Sequence, residues 1–231
     1  MFAGKMKAIT FSYDDGFIQD RRLVALMNKY QLKGTFNLNS EFLGKDSPLI
    51  EGNKHVSSDE LAGLYAGHEV AVHTLTHCGL PSQSEDEIIR QVEEDRKNLE
   101  KYVGYPVVGM AYPGGGVNHD DRVAEIIKKK TKIQYCRTIT CVDSFDVQSD
   151  LYQFKPTMFH LDEAERMFAK AKEFLESKPN RPQIFYIWGH SFELDFNDAW
   201  DLLEEFFEFI SFKDDIFYGT NAQVLLLSKA L

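Results

Sequence analysis

The chain is short of several things, and each shortage excludes a class of protein. Its 231 residues include three cysteines, Cys78, Cys136 and Cys141. They are odd in number and form no Cys-x-x-Cys pair, so neither a disulfide scaffold nor a thiolate zinc site is expected. Reduced thiols fit an intracellular compartment. No segment approaches the roughly 20 apolar residues of a membrane helix. The residues before Lys7 hold no apolar stretch long enough for a secretory signal. The expected location is therefore the cytoplasm, or the exterior if a leader has been removed. Positive charge is also scarce: 26 Lys and Arg face 36 Asp and Glu, a net charge of −10. A nucleic-acid partner calls for a basic face. Neither nucleic acid nor a membrane is an expected partner, and a neutral or cationic substrate fits better. No Gly-Lys-Ser/Thr occurs, which removes the nucleotide P-loop.

What is present reads as one globular domain spanning residues 1–231, with 43% hydrophobic and 27% charged residues, ordinary values for a packed core. Six apolar runs have strand length and β-branched or aromatic character: Lys7–Tyr13, Gly34–Leu38, Glu69–His73, Val107–Tyr112, Ile133–Thr138 and Gln183–Trp188. Helical patterns lie between and after them, at Asp20–Tyr30, Ser58–Ala66, Ser84–Tyr102, Asn118–Lys130, Leu161–Ser177, Phe196–Ile210 and Thr220–Leu231. Ser84-Glu85-Asp86-Glu87 is a capping-box pattern. Repeated β-then-α units predict a parallel sheet with helices outside it, an α/β fold. The polar residues of interest follow different strands: Asp14 and Asp15, Asn37 and Asn39, His73 and His77, Tyr112, Arg137, His190. A barrel gathers such strand ends on one face. The segments Gly44–His55 and Cys141–Thr157 are long enough to serve as lids or as plain solvated connections.

The adjacent pair Asp14-Asp15 carries the most information. Two neighbouring carboxylates repel unless a positive charge or a shared proton separates them. His73 and His77 stand four apart, a spacing that on a helical turn brings both rings to one ion. Asp15 with these two histidines would supply three ligands and leave a position open, the pattern of a catalytic zinc-type site. Solvated acids and ordinary loop histidines are the plain alternative. Successive strand residues face opposite ways, so the chain must turn at the pair, and Gly16 permits that. One carboxylate then binds metal while the other faces bound water. His190 follows a strongly apolar run and has a side chain suited to proton transfer near neutrality. Ser191 and Glu193 are placed to orient it. His68 precedes its strand and is read as structural. Pro113-Gly114-Gly115-Gly116 offers backbone donors for an anion or an oxyanion.

Together these residues resemble the polysaccharide deacetylase family, metal-dependent carbohydrate esterases acting on N-acetylated sugars. The resemblance runs from Lys7 to about Ser191. It is carried by Thr10-Phe11-Ser12-Tyr13-Asp14-Asp15-Gly16, by Gly67-His68-Glu69-Val70-Ala71-Val72-His73-Thr74-Leu75-Thr76-His77, by Ala111-Tyr112-Pro113-Gly114-Gly115 and by Trp188-Gly189-His190-Ser191. It implies a distorted (β/α)7 TIM-like barrel. It implies Asp14 as catalytic base, Asp15, His73 and His77 as ligands of a divalent metal, His190 as catalytic acid and the Gly114 amide as an oxyanion donor. Zinc is the expected ion, with cobalt, nickel and manganese as alternatives.

The chain also departs from the family. Ala111 stands where many relatives carry an arginine that steers the base, and Arg137 after the next strand is the candidate replacement. Gly114 replaces an aromatic, leaving less wall for a sugar ring. The Asp-x-x-Asp-Trp motif is not recognisable, and Asp143, Asp146 and Asp150 are candidates for its acid. The expected function is hydrolytic removal of an acyl group from an N-acylated carbohydrate. A hydrolase of a small linear or cyclic amide, with or without metal, and a non-catalytic carbohydrate-binding protein are the other readings.

Overall fold

One strand organises the molecule. β1, Lys7–Asp15, is buried at every position. A strand covered on both faces must satisfy its polar side chains internally. Thr10 donates from Oγ1 to Asn221 Oδ1 at 2.8 Å, and Ser12 Oγ accepts from Asn37 Nδ2 at 2.8 Å. These bonds belong to a computed structural model in which residues 2–228 are described.

The elements then run in order α1 Asp20–Lys29, β2 Gly34–Leu38, α2 Leu61–Leu64, β3 Glu69–Val72, α3 Glu85–Val103, β4 Gly109–Ala111, α4 Asp121–Lys130 and β5 Tyr135–Arg137. They continue with β6 Met158–Phe159, α5 Ala164–Glu176, β7 Gln183–His190, α6 Phe192–Phe196, α7 Trp200–Ile210, β8 Ile216–Tyr218 and α8 Asn221–Ser228. All strand pairs are parallel, in the order β5-β4-β3-β2-β1-β7-β6. One edge of β1 pairs with β7 along its length. The other edge is shared, β8 against Lys7–Ile9 and β2 against Phe11–Asp15. The sheet curls, and at the β5 edge Arg137 bridges Phe154 in the segment that leads into β6. There the Phe154 N–H donates to Cys136 O and the Thr138 N–H to Phe154 O, both at 2.9 Å. The result is the expected α/β architecture, a distorted barrel with helices packed outside it.

Register decides what the strand ends can do. Asp14 lies directly opposite Asn37 on one side and His190 on the other. In parallel pairs opposed residues share a face, so three polar side chains meet at the C-terminal mouth of the barrel.

The opposite end is closed by α8 and a buried carboxylate. Glu69 accepts from Thr35 Oγ1 at 2.9 Å, from the Tyr135 hydroxyl at 2.9 Å and from the Ala222 N–H at 2.8 Å. Burial, partly offset by these donors, raises its pKa. His68 also sits at this end, with its Nδ1 accepting from the Gly34 N–H at 3.2 Å.

Several boundaries differ from the sequence reading. β6 and β8 have two and three residues and were not expected; strands so short leave no periodicity to read. The helix expected over 196–210 begins at Trp200, and Phe196 ends a separate short helix, with Asp198 at a left-handed φ of 48° between them. Ala199, Trp200, Leu203, Phe206, Phe207 and Ile210 are buried, as their spacing predicts, whereas Phe196 is 67% exposed. α4 starts at Asp121 and not at Asn118, since Asp120 is the residue whose carboxylate accepts the Val123 N–H. The helix expected over 58–66 shrinks to one turn. Ser84 does cap α3, accepting from the Glu87 N–H, but the Glu87 carboxylate binds Arg90 and Gln91. The end of the expected C-terminal helix, 229–231, lies outside the described residues. Cys78, Cys136 and Cys141 are free thiols. No helix among the described residues is long and apolar enough to cross a membrane.

Replacing Glu69 by Ala should be costly, because two hydroxyls and a backbone N–H lose their buried acceptor. A loss of about 3 kcal/mol or more is expected, at ~1–3 kcal/mol for each stranded group. Urea denaturation of the variant against the parent protein measures it.

Candidate active site

Asp14 is 2% exposed and is the last residue but one of β1, inside the mouth of the barrel. An isolated carboxylate there would be driven to hold a proton. Arg137, at the end of β5 and fully buried, prevents that by donating from Nη2 to both oxygens. Asn37 adds a bond from Nδ2 to Oδ1 at 2.8 Å. Burial works to raise the Asp14 pKa, but Arg137, His73 and His190 outweigh it and the net direction is down. Asp14 is thus an ionised, immobile acceptor at neutral pH. The Arg137 side chain is itself braced, its guanidinium 4.6 Å from the Trp188 ring centroid, a cation–π contact.

Asp15 turns away from Asp14 because its own backbone is left-handed, at φ 76°, and Gly16 follows at 69°. Such a conformation in a non-glycine residue costs about 1–3 kcal/mol and persists only where neighbours hold it. Here His55 donates from Nδ1 to the Asp15 carbonyl at 2.9 Å, and the Val56 N–H donates to the Gly16 carbonyl at 2.9 Å. The segment 44–55 is therefore pinned at its base, while its tip brings Leu49 and Ile50 to the cavity.

The histidines are also set by backbone. They do not share a helical turn, as their spacing predicts. Thr74 and His77 have positive φ, 63° and 53°, and the chain folds tightly between them. Asn39 ties this turn by donating to the His73 and Thr74 carbonyls. Asp95 on α3 accepts the His73 N–H at 3.2 Å and the Ser40 N–H at 2.7 Å. The ring of His73 donates from Nδ1 to the Ala111 carbonyl at 2.9 Å, which leaves Nε2 as a bare lone pair. That nitrogen lies 3.6 Å from Asp15 Oδ1, and His77 Nε2 lies 3.5 Å from the same oxygen.

These three atoms fit one cation. Asp15 Oδ1 is buried and has no hydrogen-bond partner. Donors of Asp15, His73 and His77 all lie within 4.8 Å of one another. Ligands at about 2.1 Å from one tetrahedral ion stand about 3.4 Å apart, close to the two carboxylate–imidazole separations. A hydrogen-bonded second nitrogen on the histidine is the usual support behind a metal ligand.

His190, the last residue of β7, faces both acids, with Nε2 4.0 Å from Asp14 Oδ2 and 4.0 Å from Asp15 Oδ2. Its Nδ1 is 3.1 Å from Glu193 Oε2. Burial alone would lower its pKa, but the Glu193 bond and the nearby carboxylates push it up to about 9. Asp14, Asp15, His73, His77, Tyr112, Gly114, Gly115 and His190 line one cavity of about 280 Å³, walled also by Leu49, Ile50, Ile139, Trp188 and Phe192.

Of the other sequence candidates, Tyr112 borders the cavity and is fully buried, and its hydroxyl donates to the Tyr152 carbonyl at 2.8 Å. Gly114 has φ 82°, and among the described residues its N–H has no acceptor. Asn118 fixes that loop by donating from Nδ2 to the Tyr112 and Gly114 carbonyls, both at 3.1 Å. Pro113 is buried and shapes the loop without lining the cavity. Asp143, Asp146 and Asp150 are not at the site: they meet Arg166 and Lys170, Arg181, and the Tyr152 N–H. The segment 141–157 is not a lid over the cavity. Phe145, Leu151 and Phe154 root it in the core, and Asp146 bridges to Gln183.

Two buried participants escaped the sequence reading, Asp20 and His160. His160 follows the two-residue β6, whose brevity hid it. Asp20 lies at the start of α1 and accepts from Tyr65 Oη at 2.6 Å and from Ser191 Oγ at 2.5 Å. Burial pushes its pKa up to about 7.

The comparisons with known proteins bear on family and fold. The family description "polysaccharide deacetylase" matches residues 3–133, more than half of the chain. The chain belongs to the polysaccharide deacetylase family. No curated protein matches it in sequence. Among solved structures, a family 4 acetyl xylan esterase from Clostridium thermocellum, in complex with a cobalt ion, superposes with a TM-score of 0.58 at 14% identity, over 96% of this chain and 92% of that one. A polysaccharide deacetylase from Bacillus cereus gives a TM-score of 0.52 at 21% identity, over 62% of this chain but only 44% of its own. A CE4-family pseudoenzyme from Bacillus anthracis gives 0.53 at 17% identity, over 96% and 66%. At these identities the likeness is one of fold, shared by members with and without activity.

Asp20 generates a pH prediction. Its folded pKa lies above its ordinary value of 3.8. The carboxyl therefore contributes stability fully below that ordinary value, and the contribution is lost as pH rises through about 7. Asp20→Asn should flatten this loss, seen as a shallower fall in urea midpoint between pH 4.5 and pH 7.5. An unchanged slope would remove Asp20 as its source.

Proposed function

We propose that this family member is a hydrolase that removes an acetyl or similar acyl group from the nitrogen of an amino sugar. One observation supports it above the rest. An ionised acceptor, a three-donor cation site, a protonatable histidine and an uncommitted backbone N–H line the same cavity.

Asp15, His73 and His77 would hold a divalent ion, zinc in the first instance with cobalt, nickel and manganese as alternatives. Such an ion polarises the acyl carbonyl and lowers the pKa of water. Asp14 takes the proton of the attacking water as the oxygen bonds to the carbonyl carbon. Arg137 and Asn37 keep its carboxylate charged and aimed while it waits. The developing oxyanion accepts a hydrogen bond from the Gly114 N–H. His190 delivers the proton on Nε2 to the nitrogen as the C–N bond breaks. The products are a carboxylate and a free amine, and the protein's net charge of −10 does not oppose a cationic amine.

The walls favour a small substrate. A volume of about 280 Å³ bordered by Leu49, Ile50, Ile139, Trp188 and Phe192 suits one sugar ring with its acyl group better than a broad polymer face. The same apolar border keeps a second reading in view, hydrolysis of a small amide that is not a sugar.

Chelation should abolish turnover and added zinc or cobalt should restore it; full activity in the metal-free protein would refute the metal role. Asp14→Asn is expected to keep its metal while losing about 10²–10⁴-fold in kcat, the usual worth of a general base. His73→Ala should lose the metal itself, as elemental analysis will report. Turnover of acylated mono- and oligosaccharides against linear and cyclic amides separates the two substrate readings. A protein that binds these compounds without turnover would be a carbohydrate-binding relative.

A further inference from the structure

Asp143, Asp146 and Asp150 all have partners away from the site. The carboxylate that meets His190 is that of Glu193, through a single oxygen. Its Oε2 accepts the His190 N–H at 3.2 Å, the His190 ring at Nδ1 at 3.1 Å and the His160 ring at Nε2 at 3.0 Å. Three donors converging on one oxygen call for an ionised carboxylate. Although burial opposes ionisation, the two histidines bring the Glu193 pKa down to about 2.

His160 is built into this place. It is completely buried, and its backbone N–H donates to the Trp188 carbonyl at 2.8 Å, which carries the β6–β7 pairing one residue further. Its ring lies against Gly189, where a Cβ would come within 2.0 Å of the imidazole. Glycine beside His190 is thus what makes room for the second histidine. The edge-on ring of Tyr13, 5.3 Å away between centroids, covers another side. His160 Nδ1 has no partner. A buried polar ring with one unpaired nitrogen is a costly way to fill space, and the bond to Glu193 is the polar contact its side chain makes.

We propose that His160 and Glu193 form a positioning pair for His190. His160 fixes the Glu193 carboxylate from below. Glu193 in turn holds both the backbone and Nδ1 of His190, so that Nε2 points at the reacting atoms. The proposal rests on the reading of His190 as proton donor and adds two residues behind it. Glu193 is 23% exposed at its side chain, so without His160 it can swing to water and leave Nδ1 unheld.

The test compares His160→Phe, which keeps a buried ring but removes the donor, with His160→Gln, which keeps a donor of similar reach in a poorer shape. Kinetics of the metal-loaded enzymes and the low-field imidazole N–H resonances of the proteins are both recorded. A positioning role predicts that His160→Phe loses about 10–100-fold in kcat, the usual cost of removing an orienting partner, with KM and metal content unchanged. It predicts that His160→Gln retains more of the rate. The hydrogen-bonded Nδ1–H signal of His190 should persist in the parent protein and in His160→Gln, and shift or vanish in His160→Phe and in the isosteric Glu193→Gln. A packing role predicts the reverse order, with phenylalanine the better replacement. That order, or a His190 signal unmoved in His160→Phe, would overturn the pair. If His160→Phe does not fold, an unmoved signal in Glu193→Gln overturns it equally. If the parent protein turns over no substrate, the hydrolase reading falls while the resonances still decide whether the pair holds His190.

Discussion

The site depends on the repulsion between two adjacent carboxylates buried at the end of one strand. Asp14 and Asp15 are 2% and 6% exposed, so water does little to separate their charges. Each is answered differently. Asp14 is paired with a guanidinium that arrives from four strands away. Asp15 is turned off the strand by a left-handed backbone and faces two imidazoles. Much of the surrounding structure serves this division, including the His55 bond that holds the turn, the Asn39 and Asp95 bonds that hold the histidines, and the Trp188 ring against Arg137.

The division gives two neighbours different chemistry. A carboxylate gripped by arginine stays charged and is a modest base, available at any pH near neutrality. A carboxylate whose oxygen is buried without a hydrogen bond has its energetic need unmet by the protein. A cation would meet that need. The strain at Asp15 is therefore part of how the pair is split, in the way that rare backbone conformations gather at functional sites.

The departures from the family pattern are coherent in space. Arginine is missing from the β4 loop but present at the end of β5, reaching the same carboxylate. None of Asp143, Asp146 and Asp150 reaches the site, and the carboxylate against His190 is that of Glu193, three residues along the chain. Charge and hydrogen bonding at the catalytic atoms are constrained by chemistry. Which strand supplies them is constrained only by reach, and the mouth of a barrel offers several strand ends within reach.

The sequence by itself determined the strand–helix alternation, the apolar stripes of α3 and α7, and the grouping of Asp15, His73 and His77. Those signals are local: a repeat, a capping serine, a short spacing. It also pointed to Arg137 as the missing positive charge. It named Glu193 as placed to orient His190 but left the acid of the Asp-x-x-Asp-Trp motif open among Asp143, Asp146 and Asp150, none of which reaches the site. It missed His160, since a two-residue strand has no period and a buried histidine no distinctive neighbours. It misread the His73–His77 spacing as helical, because positive φ at Thr74 and His77 is imposed by Asn39 and Asp95 from other elements. Only the tertiary structure decided these points. Hydrogen bonds between residues 22 to 35 apart set the turn and the second histidine, His73 to Asp95, Asn39 to Thr74 and His160 to Glu193, and no local pattern encodes such pairs.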